Sequence, residues 1–558
     1  MKNAKFTALA ALLTAAGLSG ISAAEEARFN LVGPKTKAEL LKTAADPQSG
    51  DRARALHALG SAKVNDAEFL KLLPKIYRES PETRMTVLWA LREAGESARA
   101  AAQPLVKEAL SDPSAALRGT ALSLMAALKI PPEKNFAALL NDAELEVRLG
   151  ALDALRAVGT AGEFLPAIQE LVAKSPSAVV RRRAVQSLQG QNGKEAGEIL
   201  RRGLKDKDLT VALAACDNLA DADKPGEFAP LAEDLLPHLD ATWAPLQARA
   251  VEAAGNICPE KIRDRLAGFC QSPDPRLARA ALLTFGRITA DAARADALPP
   301  YFSHADADVR RAAALALWTL RERKILADAA VEKTALAAAR AEKTEAKIEG
   351  LWLLSRLRSQ AAFPQALEWG KSAEPRGARA VLWLAGESQY AAAENWARDV
   401  ALDKKRDDLT RSHAVVTLKK IGAKASAPAL IKAVSAKTPM PGGMVVWTVV
   451  GRLREDIIDA ILTLDAPGTE NAADELLYSM KPAEESANIR RICHYLAEKK
   501  YNKDIEDIPE VVLKSDKFPD ELKACVAEMY EKVTGKDSGY RAPVRTLRVN
   551  TFVEIEER

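Results

Sequence analysis

The sequence predicts an all-α fold, a right-handed α-solenoid (a superhelix) of about fifteen helix–turn–helix repeats. Three observations carry this prediction. The 558 residues exceed what one compact core accommodates. Hydrophobic residues make up 48% of the chain but aromatics only 5%, so the apolar content is mostly Ala, Leu and Val, which suit close helix packing. One residue pattern also recurs at a nearly fixed step along almost the whole chain, as in arrays whose units bury their faces only against neighbours.

The first 24 residues stand apart from that pattern. Lys2 and Lys5 give a basic start, Phe6 to Leu18 is mostly apolar, and Ser22-Ala23-Ala24 supplies small residues at a cleavage site. This is the signature of a secretory signal cut after Ala24. The apolar run is shorter than the roughly 20 residues a spanning helix needs. No Cys lies near the cut, and no later segment is a candidate membrane span. Export to the periplasm or cell surface is therefore expected. Losing Lys2 and Lys5 lowers the formal charge from +4 to +2.

Residues 25–48 form an N-terminal cap, and the repeat array occupies 49–470. Its pattern is visible in DAELEVRLGALDALRAVG from Asp142, DPRLARAALLTFGRI from Asp274 and ADADVRRAAALALWTL from Ala305. An acidic turn precedes an aliphatic residue and, often, an Arg. With that Arg position as anchor, copies begin at Arg52, Arg84, Arg118, Arg148, Arg181, Ala212, Gln247, Ala278, Arg310, Lys347, Ala378, Arg411 and Gly443. The first and last are 391 residues apart over 12 steps, a mean period of 32.6. Weaker copies at Arg490 and Lys523 place divergent C-terminal repeats at 471–535.

Within each copy, anchor+3 is Ala, Val, Gly or Cys, and anchor+7 is apolar. Ala151, Ala184, Ala313 and Cys493 are examples of the first; Leu155, Leu188, Phe285 and Leu354 of the second. Spacings of three, four and seven put these side chains on one stripe of a helix. Small residues admit a neighbouring helix and large ones fill the layer. Pro104, Pro166, Pro230, Pro364 and Pro428 follow 17 to 20 residues after their anchors, where each is expected in the first turn of a second helix.

Asp306-Ala-Asp-Val-Arg-Arg-Ala-Ala-Ala314 and Ile421-Gly-Ala-Lys-Ala-Ser-Ala-Pro-Ala-Leu-Ile431 resemble HEAT repeats, in particular the short unit of phycobilisome lyases. The resemblance covers about residues 45–535. It implies the solenoid fold but leaves function open, because such arrays host many roles.

The anchor is basic in ten of fifteen copies, and a regular Arg is expected to bridge the turn acids of adjacent repeats. Thr438-Pro-Met-Pro-Gly-Gly443 would fray the start of its helix, and Leu464-Asp-Ala-Pro-Gly-Thr469 reads as a loop. A bend or hinge is expected there. The extended tail, 536–558, alternates from Thr546 to Glu556, with Leu547, Val549, Thr551, Val553 and Ile555 on one face. It reads either as a strand for a partner's sheet edge or as an unstructured tail, with the second favoured.

No catalytic, cofactor-binding or metal site is assigned. His57, His238, His304, His413 and His494 show neither the paired His-Glu motifs of HEAT-type di-iron hydroxylases nor zinc spacing. Cys493-His494 lacks the earlier Cys of a haem-attachment motif. Cys258 and Cys270 are expected to flank one helix, whose length of about 18 Å precludes a disulfide. Cys216, Cys493 and Cys525 read as small buried apolar residues.

Trp89, Trp352 and Trp383 all fall at anchor+5, a net rotation of about 140° from the anchor. They are expected either on the outer helix surface, as binding hot spots are, or packed over small neighbours. Nearly balanced charge, 80 basic against 76 acidic residues, argues against a nucleic-acid partner. The expected role is a non-catalytic, exported scaffold that binds protein partners through a concave face lined by second helices. The alternative is a cofactor-handling protein of the bilin-lyase kind.

Overall fold

The computed structural model describes residues 35–439, 445–447, 451–479, 482–500, 513, 520–540 and 546–547. The signal segment 1–24 and most of the tail lie outside the described residues. The chain divides into two compact units, Met1–Ile262 with Val544–Arg558, and Arg263–Pro543. Each described part is a stack of helical hairpins, an α-solenoid. In the first unit, first helices such as Arg52–Ser61, Arg84–Ala94, Ala115–Ala127 and Leu145–Val158 pack on one another in sequence order. In the second unit, Pro275–Ile288, Ala307–Glu322, Thr344–Arg356, Pro375–Glu387 and Asp408–Lys420 do the same. Second helices are less regular. The segment after Leu209–Ala220 is largely 3-10, Pro225–Leu231 and Leu236–Asp240 around the single turn Ala232–Leu235.

The acidic turn of the repeat pattern starts the first helix. Asp208, Asp274, Asp306 and Asp407 each accept a hydrogen bond from a backbone N–H of the first turn. These caps satisfy donors that have no partner inside the helix. The small stripe then sets how closely the helices approach: Ala151, Ala184, Ala281, Ala313 and Ala414 at anchor+3 are all fully buried. Small residues elsewhere on the helix act alike: at Gly286 a Cβ would lie 2.7 Å from Cα of Ala316 in the next first helix.

The anchor arginines bind the stack along its length. Arg181 grips Asp206 of the next turn with Nε and Nη2, at 2.7 and 2.8 Å. Its Nη1 donates to the carbonyls of Ser175 and Pro176, at 3.0 and 3.2 Å, in the turn before its own helix. Arg118 repeats the arrangement with Asp142, at 2.8 Å on both arms, and with the carbonyls of Asp112 and Pro113. Arg52, Arg148, Arg310 and Arg411 also donate to carbonyls of the preceding turn or helix. Where Gln247 replaces Arg, its Nε2 donates to the carbonyl of Leu239 instead. The expected bridging of turn acids is present. The carbonyl bonds add a second role, closing the end of the previous hairpin.

Several local expectations are revised. The copy anchored at Gly443 is not a helix start. Val445–Trp447 is a strand, paired antiparallel with Lys437–Pro439, and the first helix of that unit is Gly451–Leu464. Arg454 takes the anchor role there, donating to the Val434 carbonyl at 2.6 Å and to Glu485 at 2.7 Å. Residues 440–444 of the proline- and glycine-rich stretch lie outside the described residues. The turn after Leu464 is as expected, with left-handed backbone at Asp465 and Gly468. Pro166, Pro364 and Pro428 occupy first turns, but Pro104 lies inside Arg99–Ala109 and Pro230 inside a 3-10 segment. Cys258 and Cys270 do not flank one helix; two short ones, Pro259–Ile262 and Leu266–Cys270, fill the interval. In the tail, Thr546–Leu547 pairs antiparallel with Lys35–Thr36 of the same chain.

Candidate functional site in the first-helix layer

On the surface of the stack, positions anchor+2 and anchor+5 of successive first helices face each other. At two steps of the first unit this seam is closed by ion pairs. Arg183 donates to Asp153 of the previous repeat at 3.0 Å, and Arg249 to Asp217 at 2.6 Å. Across Ala307–Glu322, Thr344–Arg356 and Pro375–Glu387, the anchor+5 residues are Leu315, Trp352 and Trp383 instead. Bulky apolar side chains cannot close the seam with charge. A solvent-open groove of about 420 Å³ runs over these three helices to His413 on the fourth. Its volume falls within the range of ligand-binding clefts, about 300–1,000 Å³.

Leu315 is exposed, while Trp352 and Trp383 are half-buried. Arg311, Arg376 and Arg379 add three guanidinium groups to the same wall. Arg379 is oriented by Thr410 at 3.0 Å and Asp407 at 3.6 Å. Arg311 has only a loose 4.0 Å contact with the exposed Asp308 of its own helix. Arg376 is exposed and makes no hydrogen bond or ion pair among the described residues. The arginines of the stack, by contrast, use their donors internally.

Beneath the rim lies Glu349, only 5% exposed. Burial pushes its carboxyl above the usual range, and Arg310, Arg311 and Arg376 pull it back down. Arg310 Nε stands 3.8 Å from Glu349 Oε1 and is itself buried without a hydrogen-bond partner.

Of the three tryptophans on the anchor+5 row, two meet in this groove. The third does not. Trp89 stacks on His57, ring centroids 4.5 Å apart, and a Cβ at Gly60 would lie 2.5 Å from its ring. Packing over a small neighbour therefore describes Trp89, and exposure in a cleft describes Trp352 and Trp383. Arg311, Glu349, Arg376 and Arg379 were not singled out by the sequence, although three of the four lie one or two positions after an anchor. The signal that would have found them is the change of the anchor+5 row from Asp153, Asp217 and Glu252 to Leu315, Trp352 and Trp383.

The histidines and cysteines are dispersed. His238 bonds the Leu204 carbonyl at 2.9 Å, and His494 pairs with Glu498 at 3.1 Å. Burial pushes the thiols of Cys216, Cys270 and Cys493 up to about 12 and that of Cys258 to about 11. Among the described residues, no group of three or more His, Cys, Asp or Glu is placed to hold a metal ion, and no helix is long and apolar enough to cross a membrane.

A stack of two-helix units joined by caps and an arginine ladder defines the class: an α-solenoid. Residues 102–189 and 232–318 match the family described as HEAT repeats, so those segments are HEAT repeats. The match is to HEAT repeats at large and does not single out the short-unit lyase type. No curated protein matches the sequence. Among solved structures, yeast importin-β (Kap95p) is similar at 13% identity over 90% of this chain and 78% of that one, with a TM-score of 0.58. The Kap95:Nup1 complex is similar at 13% identity, 90% and 78% coverage, and a TM-score of 0.53. At that identity the likeness is one of fold.

Proposed function

We propose that this chain is an exported, non-catalytic scaffold that binds protein partners on the surface of its helical stack. The supporting observation is the groove across four consecutive first helices, which offers indole faces and uncommitted guanidinium groups together. Exposed Trp and Arg are the residue types that dominate protein interfaces. The HEAT-repeat fold supports the same reading, because stacked repeats present long continuous surfaces. Charged side chains on the second helices, the face expected to be concave, include Lys107 and Glu170. Both are already paired, with Glu133 and Lys174. The reading therefore places the main contact on the first-helix groove. Export rests on Lys2, Lys5, the Phe6–Leu18 run and the small residues before Glu25. Burial pushes the thiols of Cys216, Cys258, Cys270 and Cys493 far above neutral pH, which leaves half-exposed Cys525 as the thiol a lyase-like alternative would need.

Crosslinking and affinity capture from the cell envelope test this reading. Cys493→Ser and His494→Ala should each leave the captured set unchanged. A single such substitution that abolished the cellular phenotype, with fold and capture intact, would replace the scaffold with a chemical role.

A further inference from the structure

We infer that the groove of Trp352 and Trp383 docks an extended acidic segment of a partner protein, one that carries an aromatic or large aliphatic side chain between carboxylates. This rests on the protein-binding reading and names the chemistry of the partner. Charge complementarity is the first reason. Among the described residues Arg376 makes no hydrogen bond or close ion pair and Arg311 makes one loose contact, with exposed Asp308 at 4.0 Å; both act on buried Glu349 only at longer range. Two guanidinium groups, on the first helices either side of Thr344–Arg356, are thus available for bidentate capture of carboxylates. Arg379, held by Asp407 and Thr410, presents a third cation in a fixed orientation.

The apolar row is the second reason. Leu315 is 40% exposed, and what sets it apart from other exposed aliphatic side chains such as Leu209 is that two indoles line the same wall. At the equivalent seam of the first unit, Arg183 and Arg249 are consumed by Asp153 and Asp217. In the second unit Leu315, Trp352 and Trp383 stand where those acids were, and the surface cations sit beside the seam, Arg311 and Arg379 one position after their anchors and Arg376 two before. A partner that supplies carboxylates to the rim and an apolar side chain to the indoles would restore both halves of the seam. The groove crosses successive helices and is open to solvent, a shape that takes an extended chain.

The experiment uses the full chain and fluorescence anisotropy of labelled 12-residue peptides. One peptide alternates Glu with Phe and Leu; a second has Gln for every Glu; a third probe is a single-stranded oligonucleotide. The acidic peptide should bind, the Gln peptide should bind at least about tenfold more weakly, and the oligonucleotide should not compete. The double variant R311E/R376E and Trp383→Ala should each lower affinity about tenfold or more, as loss of interface arginines and tryptophans does. Lys174→Glu, on an exposed second helix of the first unit, should leave it unchanged. Circular dichroism checks that the variants keep their helix content, and R311E/R376E changes only surface side chains. No binding of the acidic peptide, equal binding of the Gln peptide, or equal affinity in R311E/R376E overturns the inference. Preferential binding of the oligonucleotide overturns it in favour of nucleic acid. Envelope capture that persists unchanged in R311E/R376E would leave the scaffold reading standing while this site falls.

Discussion

Replacing Gly286 by Ala should loosen the stack, although the same change elsewhere in a helix strengthens it. Gly286 lies in the helix Pro275–Ile288, so Ala would gain about 1 kcal/mol of helix propensity. Against that, the added Cβ would stand 2.7 Å from Cα and 3.0 Å from the carbonyl oxygen of Ala316. Both are backbone atoms, so no rotamer change relieves the contact and the two first helices must separate. Overpacking of this kind costs about 1–3 kcal/mol, and more where nothing flexible can yield. The net expectation is a loss of about 1–2 kcal/mol. Gly119, in the helix Ala115–Ala127, is the internal control, because a Cβ there meets nothing within 4 Å. Gly119→Ala should stabilise its repeat by about 0.5–1 kcal/mol. Long repeat arrays depart from two-state melting, so a single midpoint is a poor readout. Hydrogen exchange with peptide resolution is better suited: protection over 275–288 and 307–322 should fall in Gly286→Ala, and protection over 115–127 should rise in Gly119→Ala. Equal or greater protection around Gly286→Ala would mean that the first helices are not packed backbone to backbone, and the account of the small-residue stripe would fail.

Two further outcomes follow from the ladder and the buried thiols. Arg181 holds Asp206 below the usual carboxylate range, as Arg118 holds Asp142. A carboxyl depressed in the folded state contributes stability that is present above its unfolded value, about 3.9, and is lost as pH falls through the folded value. Exchange protection in the first unit should therefore decline below about pH 4, and Asp206→Asn should cost about 1.5–3 kcal/mol at neutral pH. An Asp206→Asn protein with wild-type protection at pH 7 would contradict the ladder. Cys216, Cys270 and Cys493, with thiols near 12, carry a thiolate fraction of about one in ten thousand at pH 8. They should label with a thiol reagent only when the chain is unfolded, whereas half-exposed Cys525 is the one expected to react in the native state. Fast native labelling of several thiols would show that these helices open readily.

The repeat determined most of the fold without help from tertiary structure. An acidic cap, an anchor, a small residue at anchor+3 and a large one at anchor+7 are enough, because each hairpin is specified by local sequence and meets only its neighbours. Ala151, Ala184 and Ala313 are buried where the stripe placed them, and Arg118 and Arg181 bridge turn acids as their spacing implied. The same local rule failed for the copy counted from Gly443, where Val445–Trp447 is a strand paired with Lys437–Pro439 and the anchor role falls to Arg454 in Gly451–Leu464. The groove was beyond local reading for a different reason. Trp89, Trp352 and Trp383 occupy one position of the repeat, and nothing in their own helices distinguishes them. What separates them is the residue presented by the adjacent repeat: Gly60 and His57 receive Trp89, whereas Trp352 and Trp383 line an open seam with Arg311, Arg376 and Arg379. Helix, cap and buried stripe are set by periodicity within one hairpin. Whether a surface side chain is packed or available is set by the pairing of neighbouring helices, which only the tertiary structure decides.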